Sequence, residues 1–218
     1  MTRTERVALV VYGVVWLVVP GFIAVVIRLQ VPNPTELLRD VAAHRALWIG
    51  ANALLIAQQA LLTVAAPAIA RRCDGVGGHA VGGLLAIAGG ALIASGVFHG
   101  VLGAHLASQV GPGPLDADLV RSAELVHALG DTCWFVGIGA LTLATVVTSV
   151  AWWRAPDSRR HVARLGAAAV LVDVLQFGWF ADHVFGVFAA PGTLLQAAWF
   201  VVLGVTAAPH RAAVTPQA

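Results

Sequence analysis

The chain has 218 residues, of which 59% are hydrophobic and only 11% are charged. Soluble domains carry about 25% charged residues, so this composition excludes a water-soluble fold and points to a bilayer, where the protein exterior needs no charge. The net charge of +2 is too small for the clustered basic stripe that marks a nucleic-acid partner. We therefore predict an all-α membrane protein that does not bind nucleic acid.

Six apolar stretches are long enough to cross the hydrocarbon core, which takes about 20 residues. The predicted spans cover residues 7–27, 46–69, 80–103, 123–150, 162–181 and 190–208. The first is too long for a cleaved leader, so we predict that it is retained. A proline-initiated segment at 34–45 predicts a short helix on the outer surface. The polar breaks between spans are too short to fold alone, which indicates one six-helix domain over residues 1–218.

The distribution of arginine predicts the orientation. If the amino terminus is cytoplasmic, nine arginines fall in cytoplasmic segments and four in outer segments, in agreement with the retention of cationic loops inside. The chain is thus predicted to be a multi-pass protein of the cell membrane with both termini in the cytoplasm. Cys73 and Cys133, in a loop and mid-span, are too far apart in this arrangement for a disulfide.

Small residues recur along the third and fourth spans. Glycine and alanine let helix backbones approach closely in lipid, so the pattern predicts a tightly packed antiparallel pair. The residues are Gly82, Ala86, Gly89, Gly96, Gly100 and Gly103 in the third span and Gly130, Gly137 and Ala144 in the fourth.

Ionisable side chains inside spans are costly, and each is therefore a candidate for function. Glu124, His127 and Asp131 fall within a sector of about 60° when about 100° separates successive residues of a helix. At about 1.5 Å per residue, these three, together with His99 and Asp173, lie near the midplane or in the outer half of the bilayer. We expect the five to line one cavity and to be its catalytic residues.

Further polar and aromatic side chains share these faces and are predicted to bind substrate. They are Trp48, Asn52, Gln59, Trp134, Gln176, Phe177, Phe180 and Gln196. The pattern favours an embedded enzyme in which Asp131 or Asp173 is the general acid and His127 or His99 the base. Its substrate would be lipid-soluble, such as an isoprenoid-, quinone- or lipid-like molecule.

The same residues are compatible with other functions. His99 and His127 could be the axial ligands of a haem, or could hold a divalent metal together with Asp131, although no metal or haem motif is present and no cofactor is predicted. A small proton-coupled carrier would use the same acids, yet no internal repeat is visible. The polar residues could also be interhelical hydrogen-bonding groups alone. The predicted partners are membrane lipid and a hydrophobic small molecule, and the oligomeric state stays open.

Overall fold

A computed structural model describes residues 1–27, 34–73, 75–155, 158–177 and 189–206, apart from the side chains of residues 19–27, 176, 189 and 190. These ranges contain helices and no strand. The helices are α1 (Arg3–Ile27), α2 (Pro34–Ala43), α3 (Arg45–Ala70), α4 (Val76–Gly96), α5 (Gly103–Ala107), α6 (Ala117–Trp152), α7 (Arg159–Gln176) and α8 (Ala189–Thr206). A π-helical turn, Val97–Leu102, joins α4 to α5 without a break.

Three helical segments of the described chain are long and apolar enough to cross a membrane. They are Arg45–Ala70, Val76–Ala107 and Ala117–Trp152. The predicted all-helical class is therefore confirmed for the described residues, and the three segments are compatible with the predicted membrane insertion. The full count of six spans, the placement of both termini and the outer-surface position of α2 stay predictions.

Local chemistry sets where the helices begin. At the start of α1 the Thr2 N–H donates to Glu5 Oε2 at 2.7 Å and the Glu5 N–H donates to Thr2 Oγ1 at 3.2 Å, which is a capping box. Asp116 caps α6 by accepting from the Asp118 N–H at 2.8 Å. Gly75 precedes α4 with φ of 58°, a left-handed conformation that favours glycine.

The predicted antiparallel pairing of the third and fourth spans corresponds to the packing of α4 and the π-helical turn against α6. A Cβ atom added at Gly137 would lie 2.6 Å from Leu92 Cγ, and one added at Gly130 would lie 2.5 Å from His99 Nε2. These contacts require glycine. On its other side α4 approaches α3, where a Cβ at Gly96 would lie 2.7 Å from Ile56 Cγ1.

The remaining helices complete the bundle. α1 packs against α3 and α8, and α7 packs between α6 and α8. Large side chains such as Tyr12, Trp16, Leu141, Trp199 and Phe200 are fully buried between them. The two cysteines of the chain form no disulfide, as predicted.

Candidate metal centre

Three of the predicted catalytic side chains meet where the π-helical turn packs against α6. His99 Nε2 lies 3.3 Å from Asp131 Oδ1, and His127 Nε2 lies 3.4 Å from Asp131 Oδ2. The two imidazole rings are 5.0 Å apart, centre to centre, in an edge-to-face arrangement. One possible ligand atom from each of the three residues lies within 4.8 Å of the other two.

The helices position these groups in different ways. His127 and Asp131 are four residues apart in α6, a spacing that places them on one helix face. His99 belongs to the π-helical turn Val97–Leu102, a local widening of the helix that is frequent at functional sites. Its ring lies directly over Gly130, where any side chain would collide with the imidazole.

Hydrogen bonds on the far side of His99 hold it in place. Ser95, which is 2% exposed, has its hydroxyl oxygen 3.3 Å from His99 Nδ1. The Trp48 indole donates to the carbonyl oxygen of His99 at 2.7 Å, and the Asn52 amide donates to the carbonyl oxygen of Trp48 at 2.9 Å. Trp48 and Asn52 are predicted to bind substrate, but here the Trp48 indole supports the backbone that carries His99 and the Asn52 amide bonds within its own helix.

The Nε2 atom of His99 is buried without a hydrogen-bond partner among the described residues. Asp131 Oδ1 lies at an ion-pair distance of 3.3 Å from it. An unsatisfied buried polar atom is costly. A cation placed between the three side chains would satisfy it.

The centre is enclosed on one side only. The side chain of His99 is 17% exposed, whereas those of His127 and Asp131 are 41% and 48% exposed. Close packing therefore covers the histidine of the π-helical turn and leaves the α6 side accessible to a ligand.

Asp173 belongs to a second, separate cluster. This buried carboxylate accepts hydrogen bonds at Oδ2 from Thr142 Oγ1 at 3.0 Å and from Gln196 Nε2 at 2.6 Å. Thr142 follows Asp131 by 11 residues in α6, which corresponds to about 16 Å along the axis. The expectation that Asp131 and Asp173 line one shared cavity is therefore wrong, because each acid is turned to different neighbours at a different depth.

The other predicted site residues are dispersed. Glu124 is exposed on α6 outside the cluster. Gln59 Oε1 accepts from the buried Tyr12 hydroxyl at 3.4 Å. Trp134 stacks on Trp16 with ring centres 5.5 Å apart, and Phe177 lies 6.2 Å from Phe135. The side chain of Gln176 and the whole of Phe180 lie outside the described residues.

The sequence-based prediction missed Ser95. It precedes His99 by four residues, so helical spacing alone would have placed its hydroxyl beside the imidazole.

Comparisons of the chain with protein families, curated proteins and solved structures find no match.

Two imidazoles and one carboxylate form a ligand set with defined chemistry. Imidazole nitrogen suits zinc, iron, copper and nickel, and two histidines with one carboxylate leave coordination positions open for water or substrate. A hydrogen bond to the second ring nitrogen of a ligating histidine is usual in such sites, because it selects the tautomer and the ring orientation. Ser95 is placed to make that bond.

Proposed function

We propose that this membrane protein binds one divalent transition-metal ion through His99, His127 and Asp131. The observation that carries the proposal is the convergence of three ligand atoms within 4.8 Å of one another from two packed helical segments. The Nε2 atom of His99, which is buried and makes no hydrogen bond within the described residues, supports it. Zinc and ferrous iron are the ions that this ligand set fits best.

Two of the three distances between these side chains fit the coordination of one ion. Two ligand atoms that lie about 2.1 Å from one ion at a tetrahedral angle are about 3.4 Å apart. The imidazole nitrogens of His99 and His127 lie 3.3 and 3.4 Å from the oxygens of Asp131. A haem bound by both histidines would need the imidazoles on opposite faces of one macrocycle, whereas here the two rings are in edge-to-face contact with their centres 5.0 Å apart. The geometry therefore favours an ion over haem.

The centre fits an embedded enzyme that acts on a lipid-soluble substrate. The open coordination positions would polarise a bound water or a substrate oxygen, and the accessible side of the cluster lies on a helix that is apolar enough to cross a membrane. Trp134 follows Asp131 by one turn of α6 and provides an adjacent aromatic surface. An isoprenoid-, quinone- or lipid-like molecule has the apolar body and the single polar group that such a site requires.

Metal titration of the full-length chain in detergent tests the ligand set. The apoprotein is titrated with Zn²⁺ and with Co²⁺, whose visible absorption reports its ligands. We expect one ion per chain. His99→Ala, His127→Ala and Asp131→Ala should each weaken binding by about 100-fold or more, since each removes one of three protein ligands.

Matched controls lie on the same helical segments. His105→Ala and Asp118→Asn change an exposed histidine in α5 and an exposed acid in the first turn of α6, and both should bind the ion as the unchanged protein does. The proposal is wrong if the unchanged protein binds no ion, or if the control variants lose affinity as much as the ligand variants.

A further inference from the structure

A groove lies between α3 and α4 at the end of these helices remote from His99. Its volume is about 640 Å³. The lining is almost entirely small and apolar, and includes Ala66, Pro67, Gly82, Gly83 and Ala86. The groove faces outward along two segments that are apolar enough to span a membrane, so in a bilayer its contents are lipid.

The groove lies beside the line along which the two helices pack, and its glycines differ in how closely they approach α3. A Cβ added at Gly78 would lie 2.6 Å from the Ala70 carbonyl oxygen, and one at Gly96 would lie 2.7 Å from Ile56. Between these contacts, a Cβ at Gly82 would have its nearest neighbour at 3.5 Å, and one at Gly83 would have no atom within 4 Å. At Gly83, unlike at Gly78 and Gly96, glycine borders open space rather than a close helix contact.

Two nitrogen-bearing side chains lie at one end of the groove. Arg71 and His79, both lining residues, flank the connection between α3 and α4. The Arg71 side chain is 63% exposed and donates from one nitrogen to Glu5 Oε1 at 2.6 Å. A guanidinium has five N–H donors, so Glu5 leaves most of them for a second anion. Basic pockets between membrane helices on the cytoplasmic side are typical sites for anionic lipid headgroups.

We propose that this groove binds an anionic glycerophospholipid, with one acyl chain along Gly82 and Gly83 and the headgroup phosphate against Arg71 and His79. The apolar floor matches the acyl chain, and the guanidinium of Arg71 matches the phosphate. The connection between α3 and α4 belongs to the side with the arginine excess, which is the side where anionic lipid attracts basic residues. The proposal is independent of the metal centre.

Lipid retention measured by native mass spectrometry tests it. The full-length chain is reconstituted in vesicles of equal parts phosphatidylglycerol and phosphatidylcholine, extracted in mild detergent and analysed for bound lipid. We expect one phosphatidylglycerol to be retained in preference to phosphatidylcholine. Arg71→Gln should lower that preference about fivefold, the factor expected for one cation at a membrane surface.

Two glycine variants separate the groove from the general lipid-facing surface. Gly83→Leu fills the groove, whereas Gly90→Leu adds the same side chain seven residues along α4 and outside the lining. Neither position has an atom within 4 Å of an added Cβ, so both variants should fold. We expect Gly83→Leu to lose the retained lipid and Gly90→Leu to keep it.

Three outcomes would overturn the proposal: equal retention of the two lipids by the unchanged protein, equal retention by the two glycine variants, or an unaltered preference in Arg71→Gln. If Gly83→Leu does not fold, the result for Arg71→Gln decides alone.

Discussion

At the scale of single residues, the centre depends on how His99 is held. A histidine that ligates an ion through Nε2 must keep its proton on Nδ1, and the Ser95 hydroxyl oxygen lies 3.3 Å from that nitrogen. Outer partners of this kind orient the ring and raise the basicity of the ligand. We interpret Ser95 as a positioning residue that acts through His99 and does not touch the ion.

We expect Ser95→Ala to weaken metal binding by about 10- to 100-fold, the usual cost of losing an outer hydrogen bond at a metal site. Competition titration measures the affinity, and the Co²⁺ spectrum should change because the ring of His99 is less constrained. The thermal midpoint without metal serves to exclude a purely structural effect.

Ser108→Ala is the matched control, since that hydroxyl is exposed and donates to the His105 carbonyl oxygen at 2.6 Å. Equal affinity in Ser95→Ala and Ser108→Ala would show that Ser95 does not position the ligand.

At the scale of helices, α6 carries two polar clusters at different depths. In the first cluster, Asp131 lies beside His99 of the π-helical turn. In the second cluster, Thr142 and Gln196 of α8 both donate hydrogen bonds to Asp173 of α7. The second cluster joins three helices by hydrogen bonds to one carboxylate oxygen. Such bonds between membrane helices contribute about 0.6 to 2 kcal/mol each. Asp173 is therefore placed to stabilise the bundle.

We expect Asp173→Leu to lower the free energy of unfolding by about 1–3 kcal/mol, because Gln196 then loses a buried hydrogen-bond partner. Asp173→Asn keeps an oxygen acceptor and should cost less. Both variants should still bind one metal ion with unchanged affinity. Calorimetry measures the change in stability, and metal titration of the same samples measures the affinity for the ion. A loss of metal affinity in Asp173→Asn would contradict the separation of the clusters.

At the scale of the whole molecule, α6 constrains how the chain sits in a bilayer. Its 36 residues extend over about 54 Å, well beyond a hydrocarbon core of about 30 Å. If α6 crosses the bilayer as predicted, a helix of this length has its two ends on opposite sides of the membrane. The arginine distribution predicts that the end beside Gly113 is outside.

Cysteine labelling tests this arrangement in a background where Cys73 and Cys133 are alanine. We expect Gly113→Cys to react with an impermeant maleimide in intact cells, and Arg159→Cys to react only after permeabilisation. Labelling of both positions from the same side would contradict the topology, and labelling of Arg159→Cys alone in intact cells would invert it.

An ion pair between Glu5 and Arg71 links the start of α1 to the end of α3. Burial alone would raise the pKa of the Glu5 carboxyl, but the hydrogen bonds from Thr2 and Arg71 and the charge of Arg71 together hold that pKa below its usual value. The pair therefore stabilises the fold above the ordinary pKa of glutamate and loses this effect as the pH falls through the lowered value. Because Arg71 is largely exposed, the contribution is at most about 1 kcal/mol.

Composition and helical periodicity were sufficient to predict a helical membrane protein and to place His127 and Asp131 on one face of one helix. Both are local properties, since apolar length determines whether a helix can span and about 100° per residue determines which side chains share a face. The pairing of the third and fourth spans followed from their glycines, because close backbone approach in lipid requires small residues.

Only the tertiary structure showed which helices bring their polar faces together and at what depth. Periodicity gives the direction of a side chain around its own axis but not the offset of one helix along another. That offset separates Asp173 from Asp131. A regular helical period does not predict the π-helical turn either, and this turn places His99 beside α6. The same limit applies to the glycines of α4, since Gly137 meets a helix and Gly83 meets a groove.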